Sequence, residues 1–128
     1  MVKSPYSPAR QVAKVVHYLP PCLKLLKELP DDVKVTAAYA LTQAAHGVMH
    51  EDAKVLKGFP GISVQELAIS EDGNAFRIIF TVQFPEAIYV LHVFQKKSLR
   101  GIATPKREIE LVKARLGRSS QWRLKKGS

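Results

Sequence analysis

Ala75-Phe76-Arg77-Ile78-Ile79-Phe80-Thr81-Val82-Gln83-Phe84, followed by Pro85-Glu86 and then Ala87-Ile88-Tyr89-Val90-Leu91-His92-Val93-Phe94-Gln95-Lys96, decides the fold. In the first run Phe76, Ile78, Phe80, Val82 and Phe84 are large and apolar. Arg77, Thr81 and Gln83 between them are polar, with Ile79 the exception. A period of two is that of a strand with one face in a core. The second run is apolar on both faces, as suits a strand in the middle of a sheet. A two-residue loop at Pro85-Glu86 pairs Phe84 with Ala87, which sets Phe80 against Leu91, Val82 against Tyr89 and Arg77 beside Phe94. One face then carries Arg77, Ile79, Thr81 and Gln83 with Phe94, His92, Val90 and Ile88, and Lys96 lies diagonal to Arg77. That face is expected to be open, the helices lying on the other. An odd loop or a bulge would move His92 and Lys96 to the far side from Arg77.

Outward from this hairpin the signals are plainer. Upstream, Glu71-Asp72-Gly73-Asn74 is a turn and Val64–Ile69 a further strand, with Lys54–Gly61 expected as a loop around Gly58, Pro60 and Gly61. Lys14–Tyr18 is short, β-branched and stopped by Pro20-Pro21, a brief strand. Pro21 suits a helical first turn, and Cys22, Leu25/Leu26 and Leu29 recur at helical spacing until Pro30. Asp31 or Asp32 is expected to cap a second helix with the stripe Val33, Ala37, Ala40/Leu41, Ala44 and Val48, ended by Gly47. Downstream, Thr104 and Pro105 open a last helix with Ile109, Val112 and Leu116 inward. The expected class is α+β: an N-terminal helical hairpin on a twisted antiparallel sheet of about four strands, with a C-terminal helix. Residues 1–13 read as a flexible lead-in, 14–116 as a single domain and 117–128 as a basic, frayed tail.

The charge is uneven. Residues 95–128 hold eleven Lys/Arg against Glu108 and Glu110 alone, which accounts for the whole net charge of +9. Charge this localised points to a polyanion such as a nucleic acid, with an acidic protein or membrane surface and a merely solubilising tail as alternatives. With 128 residues, 46% hydrophobic, the chain fits one folded domain. A single cysteine, Cys22, excludes an intramolecular disulfide. No stretch is apolar enough for a membrane span and no signal-peptide core is present, so a cytoplasmic location is expected.

Other residues invite chemistry and yield to simpler accounts. His46 and His50, followed by Glu51 and Asp52, have ligand-like spacing but are separated by Gly47 and carry no HExxH pattern, so no metal is expected. Cys22 sits at an apolar helix position and suits packing better than nucleophilic attack. Trp122 among Arg118, Arg123, Lys125 and Lys126 could stack on a base, though a tail aromatic suffices.

Three pieces in order resemble the RelE/ParE toxin superfamily, its HigB-like, phage-derived branch above all. They are Phe76-Arg77-Ile78-Ile79-Phe80, the strand Tyr89–Lys97 with its Leu91-His92-Val93-Phe94-Gln95-Lys96-Lys97 core, and Thr104-Pro105-Lys106-Arg107-Glu108-Ile109-Glu110-Leu111. The resemblance implies the toxin of a type II toxin–antitoxin module, held by a cognate antitoxin, for which a helix-turn-helix protein is expected. It further implies a metal-independent, cofactor-free endoribonuclease that cleaves mRNA on the ribosome through the RNA's own 2′-hydroxyl. Under it Arg77 holds the scissile phosphate, and Lys96 and Lys97 assist; His92, whose imidazole titrates near neutrality, is a candidate proton-transfer group, with a structural histidine of a central strand as the alternative. Lys57, Arg100, Lys106 and Arg107 are further RNA contacts. Where RelE-type enzymes place paired lysines on the preceding strand, this chain has Glu66 and Ala68. The alternatives are a ParE-like toxin that binds DNA gyrase without catalysis and a basic nucleic-acid-binding module.

Overall fold

The computed structural model describes residues 13–97 and 104–127, with Lys97 and residues 118–127 described by their backbone alone. Its elements are β1 (Val15–Tyr18), α1 (Pro20–Lys27), α2 (Asp31–Ala45), β2 (Ala53–Val55), β3 (Val64–Glu71), β4 (Asn74–Thr81), β5 (Ala87–Lys97) and α3 (Lys106–Gly127). The class is α+β, as the sequence implies. Most of the lead-in and Arg100 lie outside the described residues.

The sheet has five strands in the order β1-β5-β4-β3-β2. It is mixed rather than antiparallel, because β1 runs parallel to β5, from Val15 beside Ala87 to Tyr18 beside Val90. The α1–α2 hairpin between β1 and the rest allows this return in the same direction, which a tight turn could not. The fifth strand, β2, occupies part of the expected loop, where Lys54 pairs with Glu66. Three residues, soon followed by Gly58 and Pro60, give too short a pattern to read from sequence.

The hairpins show what fixes the register. At the β3–β4 turn Asp72 and Gly73 both have positive φ (50° and 77°), the two-residue geometry that Asp-Gly favours. The β4–β5 hairpin departs from expectation twice. Strand β4 stops at Thr81, where Thr81 Oγ1 and then Val82 N–H donate to the Ser63 carbonyl at 2.8 and 3.1 Å, so Val82–Glu86 form a longer loop. Phe80 consequently faces Val90 and Thr81 faces Tyr89, not Leu91 and a later partner. A bulge between Ile79 and Phe80 then leaves Leu91 as an extra residue and restores Ile79 to His92 and Arg77 to Phe94. The two departures cancel. Arg77, His92 and Lys96 share a face after all, while Val90 and Ile88 turn to the opposite one.

Each face has its own core. Phe76, Ile78, Phe80, Ile88, Val90 and Val93 meet Cys22, Val33, Ala37 and Leu41 of the helical hairpin. Val64, Ile79, Tyr89 and Leu91 meet Val112 and Leu116 of α3. The Arg77 face is therefore covered, not open, because α3 buries its apolar stripe there. Two helix-end readings also need correction. Pro30 occupies the N-cap of α2 without a side-chain cap, with Asp31 and Asp32 inside the first turn, where their charge still favours the helix dipole. The backbone of α3 continues through Gly117 to Gly127, so the expected frayed tail is helical; glycine weakens a helix by only about 1 kcal/mol. Gly47, with φ 83°, ends the α2 segment as expected, and Val48 beyond it is exposed.

Candidate functional site

Two polar clusters lie between the sheet and the start of α3. The first is built on Glu66, which β3 points to the α3 side two residue pairs along from Arg77, its diagonal neighbour on that face. Glu66 has no exposed surface and Arg77 is 4% exposed. Arg77 Nη1 donates to Glu66 Oε1 at 3.0 Å, and Lys54 from the neighbouring strand stands 3.6 Å from the same oxygen. Thr104 Oγ1 donates to Glu66 Oε2 and receives Arg77 Nη1 at 3.4 Å. The Thr104 hydroxyl, expected as a helix cap, is thus turned into the sheet. A buried carboxylate is tolerated only when paired and hydrogen-bonded, and three partners meet that need.

The second cluster joins β5 to α3. His92 Nε2 lies 2.6 Å from Glu108 Oε1, and Arg115 Nη1 lies 3.2 Å from His92 Nδ1. A guanidinium can only donate, so Nδ1 is the acceptor and the ring proton sits on Nε2, directed at the carboxylate. Arg115 also donates to the carbonyl of Leu91, the inserted residue of the bulge, at 2.9 Å. The ring of Phe94 stacks on His92 at 4.7 Å between centroids. Of the two hydrogen-bonded partners, Glu108 is the more open, its side chain 17% exposed against 8% for His92. Arg107, 86% exposed, stands 3.7 Å from its other oxygen.

Burial holds the His92 pKa below the ordinary imidazole value; Glu108 opposes this and the Arg115 charge reinforces it. A depressed pKa means the unfolded chain binds this proton more tightly than the folded one. The contribution to stability is complete above the unfolded value, about 6.5, and is lost as pH falls through the folded value. Denaturant midpoints should therefore fall between pH 7.5 and 5, before the carboxylates titrate. His92→Gln, which keeps a donor toward Glu108 but cannot titrate, should flatten that fall; an equal pH dependence in both proteins would exclude His92 as its source.

The expected site residues divide. Arg77, His92 and Lys96 share the α3-facing side of the sheet, and Lys106 and Arg107 are exposed in the first turn of α3. Lys57 is exposed on the loop whose Phe59 packs on Val112 and Leu116. The side chain of Lys97, all of Arg100 and the side chain of Trp122 lie outside the described residues. Arg77 does not point into an open face but is held by Glu66. His92 has both nitrogens engaged and stands behind Glu108. Glu108, Arg115 and Thr104 are the polar residues that sequence reasoning left out of the site. Their signal was spacing: Glu108, Val112 and Arg115 fall at i, i+4 and i+7, one face of a helix.

The remaining candidates are structural. Cys22 is fully buried, and its thiol is pushed up to about 11 by burial, which keeps it protonated. His46 Nδ1 donates to the Thr42 carbonyl, and His50 Nδ1 accepts from Asp52 N–H, so each serves its own local turn. Among the described residues no group of three or more His, Cys, Asp or Glu is placed to hold a metal ion, and no helix is long and apolar enough to cross a membrane.

No curated protein and no solved structure significantly matches this chain. The family described as phage derived protein Gp49-like (DUF891), known as RelE-like toxins of toxin–antitoxin systems, matches residues 24–117. That match runs from α1 through all of β2–β5 into α3 and covers most of the chain, which therefore belongs to the Gp49-like family.

Proposed function

We propose that this protein is a HigB-like toxin that inhibits translation by cutting mRNA on the ribosome. The observation that carries the reading is a juxtaposition at the start of α3. Exposed Lys106 and Arg107 immediately precede Glu108, which is hydrogen-bonded to His92. Phosphate-binding charge thus lies beside a group that can accept a proton. These are the two elements needed to drive a 2′-hydroxyl onto its neighbouring phosphate. Family membership supports the toxin part and implies an antitoxin partner. The localised +9 charge supports an RNA-rich target such as the ribosome.

Two assays test the reading. Induced in bacteria without its antitoxin, the protein should arrest growth with new 5′ ends appearing within translated mRNAs. Purified, it should cut mRNA in programmed ribosomes. Growth arrest without RNA cleavage would replace this reading with a ParE-like, gyrase-binding toxin. RNA binding with neither arrest nor cleavage would leave only a basic nucleic-acid-binding module.

A further inference from the structure

We infer that Glu108 is the proton acceptor of the cleavage step and that Arg115, acting through His92, is the residue that positions it; this rests on the ribonuclease reading above. Three observations lead there. Glu108 is one of only two acids within the eleven-cation segment 95–128; the other, Glu110, among the described residues pairs only with Lys113 at 3.9 Å, whereas Glu108 meets the buried His92 as well as the exposed Arg107 at 3.7 Å. A carboxylate held inside a phosphate-binding surface opposes binding, so its placement there calls for another use. Next, His92 cannot itself take the proton, because Arg115 occupies Nδ1 and Nε2 already carries a hydrogen directed at Glu108. Finally, Glu108 is partly exposed at the edge of α3, while the group that orients it is buried.

The step balances as follows. Glu108 takes the proton of the 2′-hydroxyl, and the 2′-oxygen forms a bond to the adjacent phosphorus. The bond from phosphorus to the 5′-oxygen breaks with its electron pair on that oxygen, which takes a proton from water. A 2′,3′-cyclic phosphate and a 5′-hydroxyl result, and Glu108 returns its proton to solvent. His92 donates to Glu108 throughout and keeps Oε1 fixed, so the proton goes to Oε2, which stands 3.7 Å from the exposed Arg107 guanidinium and thus beside phosphate-binding charge. Arg115, anchored on the Leu91 carbonyl, sets the His92 tautomer that makes this donation possible.

Glu108→Gln isolates the base, because the amide oxygen still accepts from His92 while the basicity is gone. In single-turnover cleavage on programmed ribosomes, its rate should fall about 10²–10⁴-fold with the half-saturating concentration little changed. Arg115→Lys should lower the rate with the same binding. Nitrogen-15 spectra of the His92 ring should show the Nε2–H form in the wild type and a mixture of tautomers in Arg115→Lys. Full activity of folded Glu108→Gln, or an Nδ1–H tautomer in the wild type, overturns the inference while leaving the ribonuclease reading standing. A wild-type protein that cuts no RNA removes that reading first, and the inference with it.

Discussion

Arg77→Ala should destabilise the folded protein by about 3–5 kcal/mol, the range for removing one partner of a buried ion pair. The resemblance alone suggests a different result: a well-folded protein that has lost a phosphate ligand. The structure decides between them. Glu66 has no exposed surface, and Arg77 is the cation at hydrogen-bond distance, with Lys54 at 3.6 Å approaching from a more exposed position. Truncating Arg77 leaves a carboxylate in an apolar setting with one hydroxyl and one distant ammonium. Chemical denaturation should show the loss as a lower midpoint. Arg77→Lys should restore part of it, since an ammonium supplies the charge but its shorter stem ends short of the position from which Arg77 Nη1 serves both Glu66 and Thr104. The double variant Glu66→Leu/Arg77→Met should recover most of it, because replacing a buried pair with apolar groups of similar size is close to neutral. An Arg77→Ala midpoint equal to wild type would show that the pair contributes little. Loss of toxicity in Arg77→Ala is therefore evidence about chemistry only when folding is measured beside it.

This pair also marks the limit of what the sequence could show. Period-two patterning over 75–84 and 87–96, the Asp-Gly turn and the proline-bounded helices were enough for the class and for most elements. The face grouping of Arg77 with His92 came from a two-residue loop that does not exist. It holds because a five-residue loop and the Leu91 bulge offset each other. Bulges leave no signature in an apolar run such as Tyr89-Val90-Leu91, where every residue suits either face. The partner of Arg77, by contrast, was legible. The Asp72-Gly73 turn sets Ala68 opposite Arg77 and Glu66 opposite Ile79, a diagonal neighbour on the same face. Reading Glu66 only as a missing lysine hid the ion pair it makes. The cover provided by α3 followed from Ile109, Val112 and Leu116, since an apolar stripe needs an apolar surface and the hairpin's other face was already taken.

Binding to RNA or to ribosomes should weaken steeply with salt, and replacing Lys96, Lys97, Lys106 and Arg107 together by Gln should remove much of that dependence. The charge that drives it is concentrated: residues 1–94 are neutral overall, and the surplus begins at Lys96. Lys106 and Arg107 are exposed in the first turn of α3, and the helix continues for 22 residues to Gly127. At 1.5 Å per residue this is about 33 Å of helix, whose backbone also carries Lys113, Arg115, Arg118, Arg123, Lys125 and Lys126. Charges carried on an already formed helical backbone reach a polyanion without that backbone first being ordered, so less of the electrostatic gain is lost on binding. If the four replaced residues each neutralise one phosphate of a single strand, the slope of log affinity against log salt should fall by about 3. Between 50 and 200 mM salt those four contacts alone then account for roughly a 50-fold change in affinity. The variant should keep its fold, since Lys106 and Arg107 project into solvent and neither serves the Glu66 cluster. A slope unchanged in the variant would move the RNA-binding surface away from the start of α3, and with it the proximity of phosphate to Glu108 on which the cleavage reading depends.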